Sequence, residues 1–286
     1  MLPFHRQLIP RTSSPPNGRD ATAARQNQQK PLGCRWGAWL LALLMLPLSQ
    51  LAQAHSETSM APLRVGVLHI PPLSMVRSST DVQGPLVEYI HQLLQHAKLP
   101  YQIEGFPARR LYRNLGEGKS QFWIGVKHVP QYEGKVLYSE QPVCYLHLRL
   151  YRLASTPEIQ QLSQLQNQRL IVIRGYSYGG QLEPLKQRPQ GLQGLDANDN
   201  HIALEMLTMH RADYLLTYAE PIGELKAEYP DLFRELQQTP LDTLPMYLVL
   251  NRQTPQAESL MKQLNQSAET LRQQGETARI FARLSF

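Results

Sequence analysis

Cysteine is nearly absent from this chain of 286 residues, which holds only Cys34 and Cys144. Cys34 lies before the main apolar run instead of at its end, so it is not placed to accept a lipid. Cys144 has no partner in the body of the chain, which excludes an internal disulfide framework. Between Val143 and Tyr145 it reads as a buried small residue and not as a reactive thiol. Charge is sparse as well, at 18%, and unevenly placed. Residues 1–54 hold six basic groups against the single acid Asp20, so a chain of formal charge +6 keeps a body of 23 basic and 22 acidic residues. A nearly neutral body has no field to gather phosphate backbones, and nucleic acid is excluded as a partner. The apolar run Trp36 to Leu48 is 13 residues long, short of the ~20 that span a bilayer. No Cys or His cluster has ligand spacing: His91 and His96, five apart, sit roughly 140° apart around a helix. Neither a metal nor a cofactor is therefore expected. An apolar content of 42% in turn excludes a disordered chain.

The first 54 residues do have an order. A basic stretch precedes the apolar run, and Ala52-Gln53-Ala54 follows it with small residues at the spacing signal peptidase reads. Residues 1–54 are expected to be a cleavable leader cut after Ala54, which sends the body to the periplasm. A retained N-terminal anchor is the competing reading, and the length of the leader leaves a start downstream of Met1 open.

The body alternates strand and helix patterns, the signature of an α/β fold. Strands are expected over Leu63 to His69, Tyr101 to Phe106, Phe122 to Val126, Val143 to Arg152, Leu170 to Ile173, Tyr214 to Thr217 and Met246 to Leu250. Helices are expected over Pro85 to Ala97, with Leu86, Ile90, Leu93, Leu94 and Ala97 inward, and over Ala108 to Glu117, Ile202 to His210, Ala257 to Gln274 and Thr277 to Leu284. The segment Leu115 to Gly125 lines up with Leu207 to Thr217 at an offset of 92 residues. Each runs from a helix end through a basic residue into an apolar strand, as two related lobes would.

Several blocks stand in a fixed order: LRVGV (63–67) with Pro71-Pro72, Gly84-Pro-Leu-Val-Glu88, Gly118-Lys119, Leu137-Tyr-Ser139-Glu-Gln-Pro142, Arg169-Leu-Ile-Val-Ile-Arg-Gly175, Leu207 to Tyr218, and Leu271-Arg-Gln-Gln-Gly275. Together they resemble the family 3 periplasmic solute-binding proteins, the polar amino-acid receptors of ABC importers, over about 230 residues. Pro107-Ala-Arg-Arg110 also looks like the Pro-Trp-x-Arg variant of many members. The resemblance implies a two-lobed, type II periplasmic-binding-protein-like α/β fold. Lobe 1 would comprise 55–150 with 242–286 and lobe 2 would comprise 151–241, joined by crossover strands near Leu150 and Leu241. It implies a monomer that captures a small solute in the interlobe cleft for an inner-membrane ABC permease. A chemoreceptor or histidine kinase is the other class of partner.

In the amino-acid receptors an Arg before the Tyr-Ser-x-x-Pro block holds the ligand carboxylate, and a second-lobe Asp holds its ammonium. The matching positions here are Tyr132 and Tyr218, so an ordinary α-amino-acid site is not expected; Glu220, two residues on, is the nearest replacement acid. Gly175 and Ser177 do match, on a turn whose N–H groups can hold a ligand, and Tyr176 and Tyr178 flank them. Arg110 and His69, the latter at the end of the first strand, complete the candidate site, each set against solvated or structural roles. Trp123 reads as core. Gly175-Tyr-Ser177-Tyr-Gly179 also fits a nucleophile elbow, but the only downstream histidines, His201 and His210, come within about one βα unit of the serine, too soon for the triad order. A binding protein is expected, with esterase or dehydratase activity on this scaffold as the enzyme alternatives.

Overall fold

The computed structural model describes residues 61–187, 193–282 and 284. The leader, its cleavage site and Cys34 lie outside the described residues. The chain enters through β1 (Leu63–Val67), whose side chains are buried at every position except Arg64. A small hairpin, β2 (Met75–Val76) and β3 (Val82–Gln83), leads to α1 (Pro85–His96). Proline suits the first turn of that helix because its missing N–H would have had no partner there. Leu86, Ile90, Leu93 and Leu94 recur on one face and are buried, with Ala97 just past the end.

Next come β4 (Tyr101–Gly105), α2 (Ala108–Gly116), β5 (Phe122–Gly125) and β6 (Val136–Tyr138). Leu111 of α2 rests directly over Gly66 of β1, where a Cβ would lie 2.1 Å from a Leu111 methyl. This close approach of helix to strand is what the glycine makes available.

The long strand β7 (Cys144–Leu153) opens the second half, followed by β8 (Leu170–Ile173), the short helix α3 (Glu183–Lys186), β9 (Gly194–Ala197), α4 (Asn200–Thr208), β10 (Tyr214–Tyr218) and α5 (Ala219–Glu228). The chain returns along β11 (Leu236–Asn251) and ends with α6 (Ala257–Gln273) and α7 (Glu276–Phe281). Strand β9 and helix α5 have no counterpart in the sequence-based reading, and β11 begins ten residues before the expected Met246.

The nine-stranded sheet runs β4-β1-β5-β11-β7-β10-β8-β9, with β6 also on β11. Its two halves follow one plan. In the first, β4, β1 and β5 are parallel and β11 closes the set antiparallel. In the second, β9, β8 and β10 are parallel and β7 closes the set antiparallel. The segments matched at an offset of 92 residues are the α2–β5 and α4–β10 corners, which occupy equivalent places.

Strands β7 and β11 pair with each other from Cys144 with Met246 to Leu153 with Leu236, around a bulge between Pro240 and Asp242. Leu150 stands opposite Thr239 in that ribbon. One apolar core fills the first half and continues through Leu148, Leu150, Tyr178, Leu216 and Tyr218 into the second. A second core, with Ile171, Ile173, Leu204, Leu207, Leu215 and Ile222, lies on the other face of the β8–β10 strands beneath α4 and α5.

Candidate functional site

A cavity of about 360 Å³ lies between the two halves, within the range of small-ligand sites. From the first half Leu68, His69, Pro71, Phe106, Pro107 and Ala108 form one wall; the wall opposite includes Ile173, Arg174, Tyr176, Asp199 and Asn200. Within each half the parallel strands put their C-terminal ends at one edge, and the loops after β1 and β4 in the first half and after β8 in the second line the cavity from its two sides. The starts of α2 at Ala108 and α4 at Asn200 arrive with them.

The hydrogen bonds fix which groups donate into this space. The Val76 N–H donates to His69 Nδ1 at 3.1 Å, so the neutral ring carries its proton on Nε2. Burial depresses the His69 pKa, and the Asp199 charge across the cavity opposes that effect. Thr217 Oγ1 donates to Asn200 Oδ1 at 2.6 Å. Asn200 Nδ2 therefore faces the Tyr176 hydroxyl, donating at 3.4 Å, which leaves the phenol proton free for a ligand. Desolvation pushes the Tyr176 pKa up to about 12, so that proton is retained at neutral pH. Asp199 caps α4 by accepting the Ile202 N–H on Oδ1 at 2.8 Å.

Behind the wall sits an aromatic group. The Tyr176 ring stacks on Tyr218 at 4.9 Å and 25°, and Tyr178 packs against both. Tyr178 adopts φ 50, an uncommon conformation for a residue with a side chain. Its hydroxyl, buried, accepts the Ile173 N–H at 2.7 Å and donates to the Leu216 carbonyl at 3.2 Å. Gly175, at φ 89, brings this turn against α2: a Cβ there would stand 3.1 Å from the Ala108 Cβ.

Of the residues singled out in the sequence, His69 and Tyr176 stand in the cavity wall. Gly175, Tyr178 and Tyr218 lie directly behind it. Ser177 Oγ is buried beside the side chain of Tyr112. His201 stacks on Tyr229 at 4.3 Å and faces Glu205, so no serine–histidine pair of the elbow type is assembled among the described residues. Tyr132 is fully buried in the first half, donating to the Val126 carbonyl at 2.8 Å and packed edge-on against Tyr112 and Trp123. Tyr218 is buried as well, so the structure places neither tyrosine on the cavity surface.

Arg110 is exposed on α2, beyond the wall. Glu220 is completely buried, and its Oε1 accepts both the backbone N–H and Nδ1 of His147 on β7, at 3.0 and 2.8 Å. Its Oε2 has no hydrogen-bond partner among the described residues. Cys144 is buried against Met246 and its thiol pKa is driven well up by desolvation. Phe106, Asp199, Asn200 and Glu224 also face the cavity and were not singled out. The readable signal was Asp199, three residues before Ile202 at a helix start.

No protein-family model matches the chain, and no curated protein matches it. Solved structures do. The chain is similar to the GluR0 ligand-binding core in complex with L-glutamate, at 16% identity and a TM-score of 0.63, over 79% of this chain and 99% of that one. It is similar to a histidine kinase sensor domain that itself resembles periplasmic binding proteins, at 15% identity and TM-score 0.66, over 79% and 97%. An ancestral arginine-binding protein bound to arginine matches at 14% identity and TM-score 0.65, over 80% and 100%. The fold is thus the two-lobed α/β fold of the periplasmic-binding-protein type. Among the described residues no helix is long and apolar enough to cross a membrane.

Proposed function

We propose that this chain is an exported solute-binding protein of the family 3 kind, which captures a small molecule between its lobes and presents it to a membrane partner. The observation that carries this reading is the cavity between the two halves. Its one wall is mostly apolar and its other bears oriented donors and acceptors, with no paired nucleophile and base among the described residues. Capture needs complementarity and closure, not bond-making chemistry. In this reading lobe 1 is 55–150 with 242–286 and lobe 2 is 151–241, joined by β7 and β11. Residues 1–54 direct the chain to the periplasm and are removed there.

The ligand is not an ordinary α-amino acid. Tyr132 and Tyr218 stand where the resemblance would put the carboxylate and ammonium anchors, and both are packed in the interior. The partner in this reading is an ABC importer. The likeness to a histidine kinase sensor domain supports sensing as the second reading, and deletion of the neighbouring transport or sensor genes tells the two apart.

The test is a thermal-shift screen of the full chain, stripped of ligand by unfolding and refolding, against amines, amino acids, aromatic acids, sugars and peptides. A ligand at about 100 times its Kd adds roughly 2.7 kcal/mol, or about 5–10 °C for a chain of this size. A hit that Tyr176→Ala removes supports the cleft as its site. Silence across the whole panel sinks the binding reading, and turnover of an ester lost in Ser177→Ala replaces it with a hydrolase.

A further inference from the structure

Each ionisable side chain on the cavity wall either has a partner or lacks one. Arg174 forms a half-exposed ion pair with Asp196, with Nε 3.5 Å from its carboxylate. His201 faces Glu205 at 3.7 Å and is stacked on Tyr229. His69 is held toward its neutral form by partial burial and by the hydrogen bond its Nδ1 accepts from the Val76 N–H. The wall's basic groups therefore each face a carboxylate or are held toward the neutral form. Its two carboxylates differ: Asp199 and Glu224 take part in no ion pair among the described residues. Asp199 spends one oxygen on the α4 cap and keeps the other. Its field reaches across the cavity to His69 on the opposite wall.

Helix N-termini at the cavity would on their own favour an anion. Here α4 already has Asp199 at its cap, and the first turn of α5 holds Glu220. The start of α2 is pressed against Gly175, whose Cβ position is 3.7 Å from the Arg109 nitrogen. A ligand carboxylate would thus meet no unpaired cation on the wall, whereas an ammonium would meet two unpaired carboxylates beside the rings of Phe106 and Tyr176.

Resting on the binding function proposed above, we infer that the cavity takes a cationic amine with an apolar or aromatic body and no carboxylate, its ammonium held between Asp199 and Glu224 and its body against Phe106, Pro71 and Leu225. The cavity is large enough for an arylethylamine or a guanidinoalkylamine.

The experiment compares matched pairs on the refolded full chain by thermal shift and calorimetry: tryptamine with tryptophan, tyramine with tyrosine, agmatine with arginine, cadaverine with lysine. At least one amine is expected to raise Tm by about 5–10 °C near saturation while its parent amino acid, which adds only a carboxylate, does not. Asp199→Asn keeps the helix cap, since Asn caps as well as Asp, and removes the charge. It should weaken the amine at least about tenfold with Tm of the free protein unchanged, and Glu224→Gln should weaken it less. An amino acid binding as tightly as its amine overturns the inference and leaves the binding reading standing, as does amine affinity unchanged in Asp199→Asn. If the amines fail and an anion or sugar from the wider panel binds, the ligand class is wrong. If everything fails, both ideas fall.

Discussion

The two halves of the sheet share a plan and present opposite chemistry to the space between them. The first half shows that space Leu68, Pro71, Phe106, Pro107 and Ala108, with His69 as its polar member; the second shows Arg174, Tyr176, Asp199, Asn200 and Glu224. The difference arises at the helix starts. Helix α2 begins after Pro107 with no side-chain cap and no acid in its first turn, whereas α4 begins with Asp199, which both caps the helix and faces the cavity. A repeated scaffold fixes where helix ends arrive, and one residue at each end sets what a ligand would meet.

The comparison can be broken most forcefully in the cores. Leu111→Ala in the first half and Leu204→Ala in the second each remove a fully buried side chain, and each should cost about 2–5 kcal/mol. Because β7 and β11 pair with strands of both halves, both variants are expected to shift one common urea transition followed by fluorescence and circular dichroism. Separate transitions in Leu204→Ala would mean that the halves fold independently.

A smaller loss, of about 1–3 kcal/mol, is expected for Tyr178→Phe, which leaves the Ile173 N–H and the Leu216 carbonyl without the phenol that joins them. Denaturant midpoints measure it. Asp199→Ala should cost about 1 kcal/mol through the lost cap, and Asp199→Asn close to nothing. Equal losses in the two variants would show that charge, not capping, stabilises α4.

The smallest effect concerns pH. His69 is depressed below its ordinary value near 6.5 by burial, so on acidification the unfolded chain binds this proton first. Stability contributed at this site is intact above about 6.5 and falls as pH drops toward the folded-state pKa. His69→Gln should flatten the stability profile in that window, as read by thermal melts at closely spaced pH values.

Much of this was legible in the chain itself. The α1 face from Leu86 to Leu94 and the buried strand at Leu170 to Ile173 carry their own periodicity, and the repeated corners betray the duplicated plan. The early part of β11 was not, because Pro240 and Pro245 argue against a strand interior. Proline is tolerated there since the segment before Tyr247 pairs only with β7, and a strand with one open side can do without outward N–H groups. Helix α5 was hidden by Pro221 in its first turn and by a weak apolar face. The position of Tyr132 follows from packing against Tyr112 and Trp123, distant choices that no local pattern encodes. Asp199 was missed because a helix-capping acid looks the same whether it faces solvent or a ligand.

The two prolines of β11 also bear on how copies of the chain behave toward one another. The Val143 N–H bonds to the Met246 carbonyl and the Ala154 N–H to the Glu235 carbonyl, so alternate residues of β11 face β7 on either side of the bulge, and Pro240 and Pro245 fall on the outward set. A strand border that lacks amide protons at intervals cannot template a neighbour's backbone. The ribbon joining the lobes is thereby kept from recruiting a second chain into fibrillar stacking, while its paired side is left intact.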